Sequence, residues 1–257
     1  RQENDWFLQK VYRNDYNNKT RGDLFVQYYY DKNSFEKFND DILMLQSMFA
    51  VTFTANRDSR WLYEILQFLF NHIEELNQTE FASQFRDFLE KMAVRYAEER
   101  LFTEDKSIKK YRAIPVYAFN FVDYVLWNNR AELEKEYKDI NFDHFKFAYR
   151  RSIEHWFPQH LNSEERVEKI DDKFLHSFGN LCIITDSQNS KFGNLIPSAK
   201  YKQWEGIFNR QSLKLQMMAE ITSKKDSGWG PEQITELEKE ILTRVNHFIE
   251  NKSSEQR

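Results

Sequence analysis

The chain has 257 residues, 40% of them hydrophobic and 30% charged, and its 37 basic and 41 acidic residues give a net charge of −4. This balance excludes a disordered tail and a basic nucleic-acid coat, so any contact with nucleic acid must be local. Only 6 Gly and 4 Pro are present, which disfavours turn-rich β sandwiches and barrels and favours long helices. The one cysteine, Cys182, excludes an internal disulfide and a multi-cysteine zinc site, and it suits a reducing, cytoplasmic compartment.

Amphipathic helices are predicted between about Ser34 and Arg100, because apolar residues recur there with helical spacing. A further helix is predicted from Pro115, whose missing N–H costs nothing in a first turn, to about Asn129. We expect the aromatic residues of these helices to form the core of a helix bundle. The apolar positions of the first two runs are Leu62, Ile65, Leu66, Leu69, Ile73 and Leu76, then Phe81, Phe85, Phe88, Leu89, Met92 and Tyr96.

Shorter elements are predicted after residue 149. Residues 152–159 contain a proline and predict a short strand and a turn. A helix is predicted over 163–175 and a strand over 181–185. Asp186 is predicted to cap the next helix, which we expect to stop at residues 192–194, where the sequence reads Phe-Gly-Asn.

Helices are predicted again after Pro197, with a break at 228–231 before the last one. Between Ser198 and Lys225, six basic residues face two acidic ones, which fits either a solvated helix face or a surface for DNA. The basic residues are Lys200, Lys202, Arg210, Lys214, Lys224 and Lys225, and the acidic residues are Glu205 and Glu220.

We divide the chain into a helical domain at 1–141 and a second domain at 142–257, which contains the short elements and the C-terminal helices. The longest uncharged run, residues 42–56, is too short and too polar to span a bilayer, so no membrane segment is expected. The chain begins Arg-Gln-Glu-Asn-Asp, with neither an initiator Met nor a signal pattern, and we expect it to be part of a longer protein.

Several enzyme classes lack their motifs in this chain. Neither phosphate-binding glycine pattern, G-x-x-x-x-G-K-[ST] or G-x-G-x-x-G, is present, and the serine-hydrolase pattern G-x-S-x-G is absent. Cys182 lies in an apolar run and is interpreted as an inert core thiol. The histidines interpreted as surface or hydrogen-bonded residues are His72, His144, His176 and His247.

The dipeptide Glu154-His155 is the strongest remaining candidate for chemistry. Phosphodiester hydrolysis needs a base of near-neutral pKa, a hard divalent cation and oxygen ligands that hold it. His155 can supply the base, while Glu154 and the amide oxygen of Asn189 are ligands of the type that Mg²⁺ or Mn²⁺ prefers. On an extended backbone the side chains of Glu154 and His155 diverge, so one can reach the metal and the other the water.

Three motifs follow one another in this region: I-E-H-x-x-P-Q over 153–159, G-N-L over 179–181 and N-S-x-x-x-N over 189–194. In this order they resemble the HNH-type nuclease domain at the C-terminus of GmrSD-type modification-dependent restriction enzymes. The HNH domain of RNA-guided DNA nucleases has a similar order, which widens the resemblance to the His-Me finger, or ββα-metal, superfamily. The resemblance covers roughly residues 150–201 and implies a mainly α fold, in which a helical bundle encloses a small ββα-metal motif.

The resemblance also implies roles for individual residues. His155 is expected to be the general base, and Glu154 and Asn189 are expected to bind one metal ion. Asn180 is expected to orient the His155 strand or its imidazole. Because the third HNH position is Asn189 rather than a histidine, Mg²⁺ or Mn²⁺ is expected rather than zinc.

Four further residues receive roles from their positions in or beside these motifs. Lys200, Lys191 and Arg151 are expected to contact DNA phosphates. Asn194 is expected to support the loop structure.

The implied function is a metal-dependent DNA endonuclease that nicks or cleaves phage DNA in a modification-sensing antiviral restriction system. The resemblance places recognition and nucleotide hydrolysis in an upstream ParB-like domain of the same or a partner chain. Two alternatives stay open: an inactive helical or HNH-fold interaction module, and a nuclease directed at RNA, because the substrate sugar cannot be read from the sequence.

Overall fold

The computed structural model describes the backbone of residues 11–14 and 25–28, and residues 35, 37–54, 59–76, 78–104, 107–161, 167–224 and 228–254 in full. Helices dominate these residues, which confirms the prediction of a mainly α fold. No helix in these ranges is both long and apolar enough to cross a membrane.

Helices make up most of the N-terminal half of the described chain. The strand pair β1 (Val11–Asn14) and β2 (Phe25–Tyr28) is antiparallel and precedes them. The predicted apolar residues lie in helices except Ile73 and Leu76, which follow the end of a helix at Asn71, and a helix starts directly after Pro115, as predicted. The helices are α1 (Asn39–Thr52), α2 (Arg60–Asn71), α3 (Phe81–Leu101), α4 (Val116–Asn128) and α5 (Arg130–Glu136).

Two short strands and five helices make up the C-terminal half. The two strands pair in antiparallel fashion, with Glu154 opposite Cys182 and His155 opposite Leu181. A 3₁₀ helix over Glu205–Arg210 joins the helix that ends at Trp204 to the helix that begins at Leu213. The elements are β3 (Ser152–His155), α6 (Asp172–Leu175), β4 (Leu181–Ile184), α7 (Asp186–Phe192), α8 (Pro197–Trp204), α9 (Leu213–Lys224) and α10 (Pro231–Ser254).

The predicted helix over 163–175 is wrong at 167–171 and right at 172–175. Residues 162–166 lie outside the described residues, and 167–170 are not helical. The backbone is still extended at Asp171, with φ −61° and ψ 146°, so the helix begins only at Asp172. Only its last turn, α6, matches the prediction.

The cap of α7 lies one residue before the predicted Asp186. Thr185 Oγ1 accepts a hydrogen bond from the backbone N–H of Gln188, and Gln188 Oε1 accepts one from the backbone N–H of Thr185. This reciprocal capping box satisfies two N–H groups at the helix start, and it places Asp186 in the first turn. The helix stops at Gly193, where φ is +48°, as the glycine predicts.

The helix α4 occupies the centre of the fold, because every residue from Tyr117 to Trp127 is buried. It packs against α1, α3, α9, α10 and β4. The predicted domains 1–141 and 142–257 therefore share one hydrophobic core, which extends from Ile42 to Phe248. The division into two domains stays a prediction.

Gly179 lets α10 approach the segment before β4 more closely than any other residue would allow. A Cβ atom at this position would lie 2.1 Å from the backbone oxygen of Ile234 in α10. The backbone N–H of Gly179 donates to Glu238 Oε2 over 2.8 Å, in the next turn of the same helix. The G-N-L motif therefore contains a glycine for a packing reason.

We predict that Gly179→Ala destabilises the fold by about 1–3 kcal/mol, because α10 must shift to admit the methyl group. Gly206→Ala is the matched control, since a Cβ atom at Gly206 meets nothing within 4 Å. Urea unfolding of both variants measures the effect. Equal midpoints for the two variants would contradict the packing explanation.

Asp123 is a buried carboxyl group that links α4 to α9. Its Oδ1 accepts a hydrogen bond from the backbone N–H of Lys214 over 3.0 Å, in the first turn of α9. Burial raises the pKa of Asp123 from 3.8 to about 7, against the lowering effects of this hydrogen bond and of the Arg150 and Lys214 charges. The folded protein therefore holds the Asp123 proton more tightly than the unfolded chain does.

We predict that the free energy of unfolding decreases as the pH rises from about 4 to about 7, because the tighter binding of this proton in the folded state no longer contributes to stability. Below the unfolded pKa of 3.8 both states are protonated, and above pH 7 the folded state must bury a charge. Asp123→Asn cannot ionise, so its stability should fall less than that of the wild type between pH 5 and pH 8. Urea unfolding at both pH values tests this, and identical losses would refute it.

Candidate active site

Glu154 and His155 are the last two residues of β3, and their side chains lie on opposite faces of the strand. Beyond the β4 pairing, the end of β3 is held by the backbone N–H of Trp156, which donates to the backbone oxygen of Asn180 over 2.8 Å. The Trp156 ring is fully buried, and its Nε1 donates to Thr222 Oγ1 in α9. The two candidate residues are therefore fixed to the helical core.

The His155 imidazole has hydrogen-bond partners at both ring nitrogens. Its Nδ1 lies 3.0 Å from Nε2 of Gln159, and its Nε2 lies 3.1 Å from Nδ1 of His176. The Tyr111 ring meets it edge-on, with 4.4 Å between ring centroids. Burial is the main cause that lowers the pKa of His155 to about 4, and electrostatic repulsion from His176 and Lys200 contributes to the lowering. The ring is therefore neutral at pH 7, as a proton acceptor must be.

The carboxylate of Glu154 pairs with a buried ammonium group. Lys200 has no solvent exposure, and its Nζ donates to Glu154 Oε1 over 3.1 Å. The same Nζ donates to the backbone oxygens of His155 and Trp156 over 2.6 Å and 3.0 Å. Burial raises the pKa of Glu154 and lowers that of Lys200, and each charge opposes the shift of the other.

The predicted phosphate contact of Lys200 does not fit this placement. Its three donors are used inside the protein, and its side chain does not reach the surface. The helical spacing is consistent with this burial. Lys200 lies three residues after Pro197 and four before Trp204, so the three residues share one face of the helix, and the other two are also buried. Lys200 holds the end of β3 in place and does not offer a charge to DNA.

The side-chain amide of Asn180 is fully buried and uses all four of its hydrogen-bonding sites. Its Oδ1 accepts from the backbone N–H of Phe157 over 2.8 Å and from Trp229 Nε1 over 3.1 Å. Its Nδ2 donates to the backbone oxygens of Phe157 and Leu175 over 3.1 Å and 2.9 Å. These bonds hold the backbone just after His155, and the amide does not contact the imidazole.

Asn189 lies on α7, which follows β4 directly and packs against β3. It is partly exposed, and no described residue is hydrogen-bonded to its side-chain amide. Among the described residues, no three His, Cys, Asp or Glu side chains converge as a metal site. The predicted metal ligands Glu154 and Asn189 both carry side-chain oxygens that could hold a cation.

The three other predicted residues lie on the surface around α7. Arg151, at the start of β3, pairs with Asp186 Oδ2 over 3.1 Å and is 62% exposed. Lys191 is exposed on α7, and Asn194 is exposed in the turn that follows it. Their predicted roles in phosphate contact and loop structure stay predictions.

Sequence reasoning missed the two residues that enclose His155 together with Gln159. The sequence analysis interprets His176 only as a surface or hydrogen-bonded histidine. Its position three residues before the G-N-L motif is the one local feature that could have indicated its place beside His155. Tyr111 belongs to a 3₁₀ turn before α4 and gives no sequence signal. Only the tertiary fold brings both rings to His155.

Glu154, His155 and Asn189 supply a carboxylate, a neutral imidazole and a side-chain amide, which are residue types that sites activating water for hydrolysis use. The sequence model of the family described as GmrSD restriction endonucleases, C-terminal domain, matches residues 74–244. The match covers more than half of the chain, and the chain belongs to this family. Neither a curated protein nor a solved structure matches the chain.

We predict that Lys200→Met destabilises the protein by about 3–5 kcal/mol, because the Glu154 carboxylate and two buried backbone oxygens then lose their donor. Lys202→Met on the same helix is the matched control, since Lys202 is exposed and its loss should change stability by less than about 0.5 kcal/mol. Chemical unfolding followed by circular dichroism measures both. A Lys200→Met variant as stable as the control would refute the buried role.

Proposed function

We propose that the chain is a metal-dependent HNH-type DNA endonuclease and the nuclease part of a modification-sensing restriction system. Membership of the GmrSD C-terminal family supports the endonuclease activity. The observation that carries the HNH assignment is the placement of Glu154 and His155 on β3 and of Asn189 on a helix that packs against that strand.

The order of elements supports a ββα-metal motif at this position. The strands β3 and β4 are antiparallel neighbours, and only Thr185 separates β4 from α7. The base and one metal ligand are thus on the first strand, and the second ligand is on the helix. In this proposal the helical bundle encloses the motif, since β4 packs against the central helix α4.

His155 acts as the general base in the proposed reaction. Its neutral imidazole takes a proton from water at Nδ1, and the resulting hydroxide bonds to the phosphorus atom while the P–O bond to the departing oxygen of the DNA strand breaks and leaves the electron pair on that oxygen. Nδ1 is covered in this structure by the side-chain amide of Gln159, an exposed residue. Water therefore reaches the base once the Gln159 side chain moves aside, which needs no change in the backbone.

Glu154 and Asn189 would hold Mg²⁺ or Mn²⁺, because a carboxylate and an amide oxygen are hard donors. The bound ion supplies charge stabilisation at the phosphate and at the departing oxygen. Lys200 keeps the Glu154 carboxylate in a fixed position from the interior side. The uncommitted amide of Asn189 and the partly exposed Glu154 side chain, at 14%, both suit a ligand that arrives from solvent.

Contacts with DNA belong to exposed basic residues beside the motif in this proposal. Arg151 and Lys191 are exposed near the start of β3 and on α7, and each can neutralise one phosphate. Two exposed cations give weak binding without sequence preference. Recognition of modified phage DNA would therefore require a further domain, and the ParB-like nucleotide-hydrolysing domain of the resemblance fits that requirement.

We predict that the protein nicks supercoiled plasmid with Mg²⁺ or Mn²⁺ and loses this activity in EDTA. His155→Ala removes the base and Asn189→Ala removes a metal ligand, so each should lower the nicking rate at least 100-fold. His247→Ala is the matched control, because this histidine of α10 is exposed and its Nε2 is hydrogen-bonded to Asn251. Gel electrophoresis of the plasmid measures the rates, with folding compared by circular dichroism.

Parallel digestions of plasmid, single-stranded DNA and RNA distinguish the alternatives. Cleavage of RNA alone would replace the DNA substrate with RNA. If neither the chain nor a longer protein carrying the upstream domain cleaves modified or unmodified DNA, the nuclease proposal is wrong and an interaction module remains.

A further inference from the structure

The hydrogen bonds of His155 determine which of its nitrogens carries the proton. Gln159 Nε2 is an amide nitrogen and can only donate, so His155 Nδ1, at 3.0 Å, must accept and carries no proton. An imidazole with a bare Nδ1 is neutral, and its single proton is on Nε2. That N–H therefore donates to Nδ1 of His176 over 3.1 Å.

We infer that His176 is a positioning residue, which holds His155 in the tautomer whose Nδ1 lone pair can accept a proton. This inference rests on the proposed function of His155 as the base. When water gives its proton to Nδ1, the O–H electron pair remains on the oxygen that attacks phosphorus. The imidazolium that forms keeps its Nε2–H bond to His176, so the ring does not rotate during the step.

Tyr111 fixes the relative orientation of the two imidazoles. Its ring is parallel to that of His176, with an angle of 6° and 5.4 Å between centroids. The same ring meets His155 edge-on at 72°. Rotation of either histidine would break one of these contacts, so the hydrogen bond between them has a defined direction.

The backbone next to His176 is anchored by the motif residue Asn180. Its Nδ2 donates to the backbone oxygen of Leu175 over 2.9 Å, one residue before His176. The same amide binds the backbone of Phe157, two residues after His155. One buried side chain therefore sets the position of both histidines.

A hydrogen bond explains the pair better than a shared metal ion. Two nitrogens 3.1 Å apart could in principle hold one cation, but structural metal sites use about four ligands. In the described parts of the chain, no third His, Cys, Asp or Glu side chain completes such a group. Measurements in EDTA separate the two explanations.

The experiment combines nitrogen NMR of the full chain, labelled with ¹⁵N-histidine and kept in EDTA, with plasmid nicking in Mn²⁺. We expect the His155 resonances, identified by their loss in His155→Ala, to report a protonated Nε2 and a bare Nδ1. His176→Phe keeps a ring against Tyr111 but removes the acceptor. It should give mixed His155 tautomers and lower the nicking rate about 10- to 100-fold, the range typical for loss of a hydrogen bond that orients a histidine.

His176→Asn is the rescue variant, because its side-chain oxygen can lie where Nδ1 of His176 lies now. We expect it to restore the Nε2–H tautomer and most of the nicking rate, with thermal unfolding curves that show both variants folded. A proton on Nδ1 in the wild type, or an unchanged tautomer in His176→Phe, would overturn the inference. An inactive wild type would contradict the proposed function alone, because the NMR measurement needs no activity.

Discussion

The side-chain amide of Asn180 is the interaction on which the site depends. It joins the turn after β3, the end of α6 and the start of α10 through bonds to Phe157, Leu175 and Trp229. A buried amide is favourable only when every polar atom has a partner, and here all four sites are used. Because these segments are distant in the chain, one satisfied amide gives His155 and His176 a common frame.

Two lysine ammonium groups are buried near Asn180, and their hydrogen bonds must offset the cost of removing these charges from water. The Lys200 ammonium offers three donors to three oxygens, which is the arrangement that makes a buried cation tolerable. Lys214 is buried in a comparable way beneath the segment before β4, where its Nζ donates to the backbone oxygen of Phe178 over 2.8 Å. These ammonium groups fix the backbone that carries Glu154 and Asn180, so the polar interior supports the site.

The helical bundle gives this small strand pair its rigidity. A two-stranded sheet is marginal alone in water, but β4 is fully buried and packs against α4 and α9. The helix α10 covers the turn before β4 through the contact that Gly179 permits. Helices from both predicted domains thus contact this part of the chain, and the family match over residues 74–244 includes them.

The sequence by itself determined the long helices, the strands β3 and β4 and the motif residues Glu154, His155 and Asn189, because periodicity and spacing are local properties of the chain. Only the tertiary structure decided that Lys200 is buried and that His176 and Tyr111 enclose His155. These contacts join residues that are 45 positions apart for Lys200 and His155, and 21 apart for His155 and His176. The physical reason is that the sequence specifies the same lysine or histidine side chain whether it lies in solvent or in a core, and only packing determines its burial, its partners and its pKa.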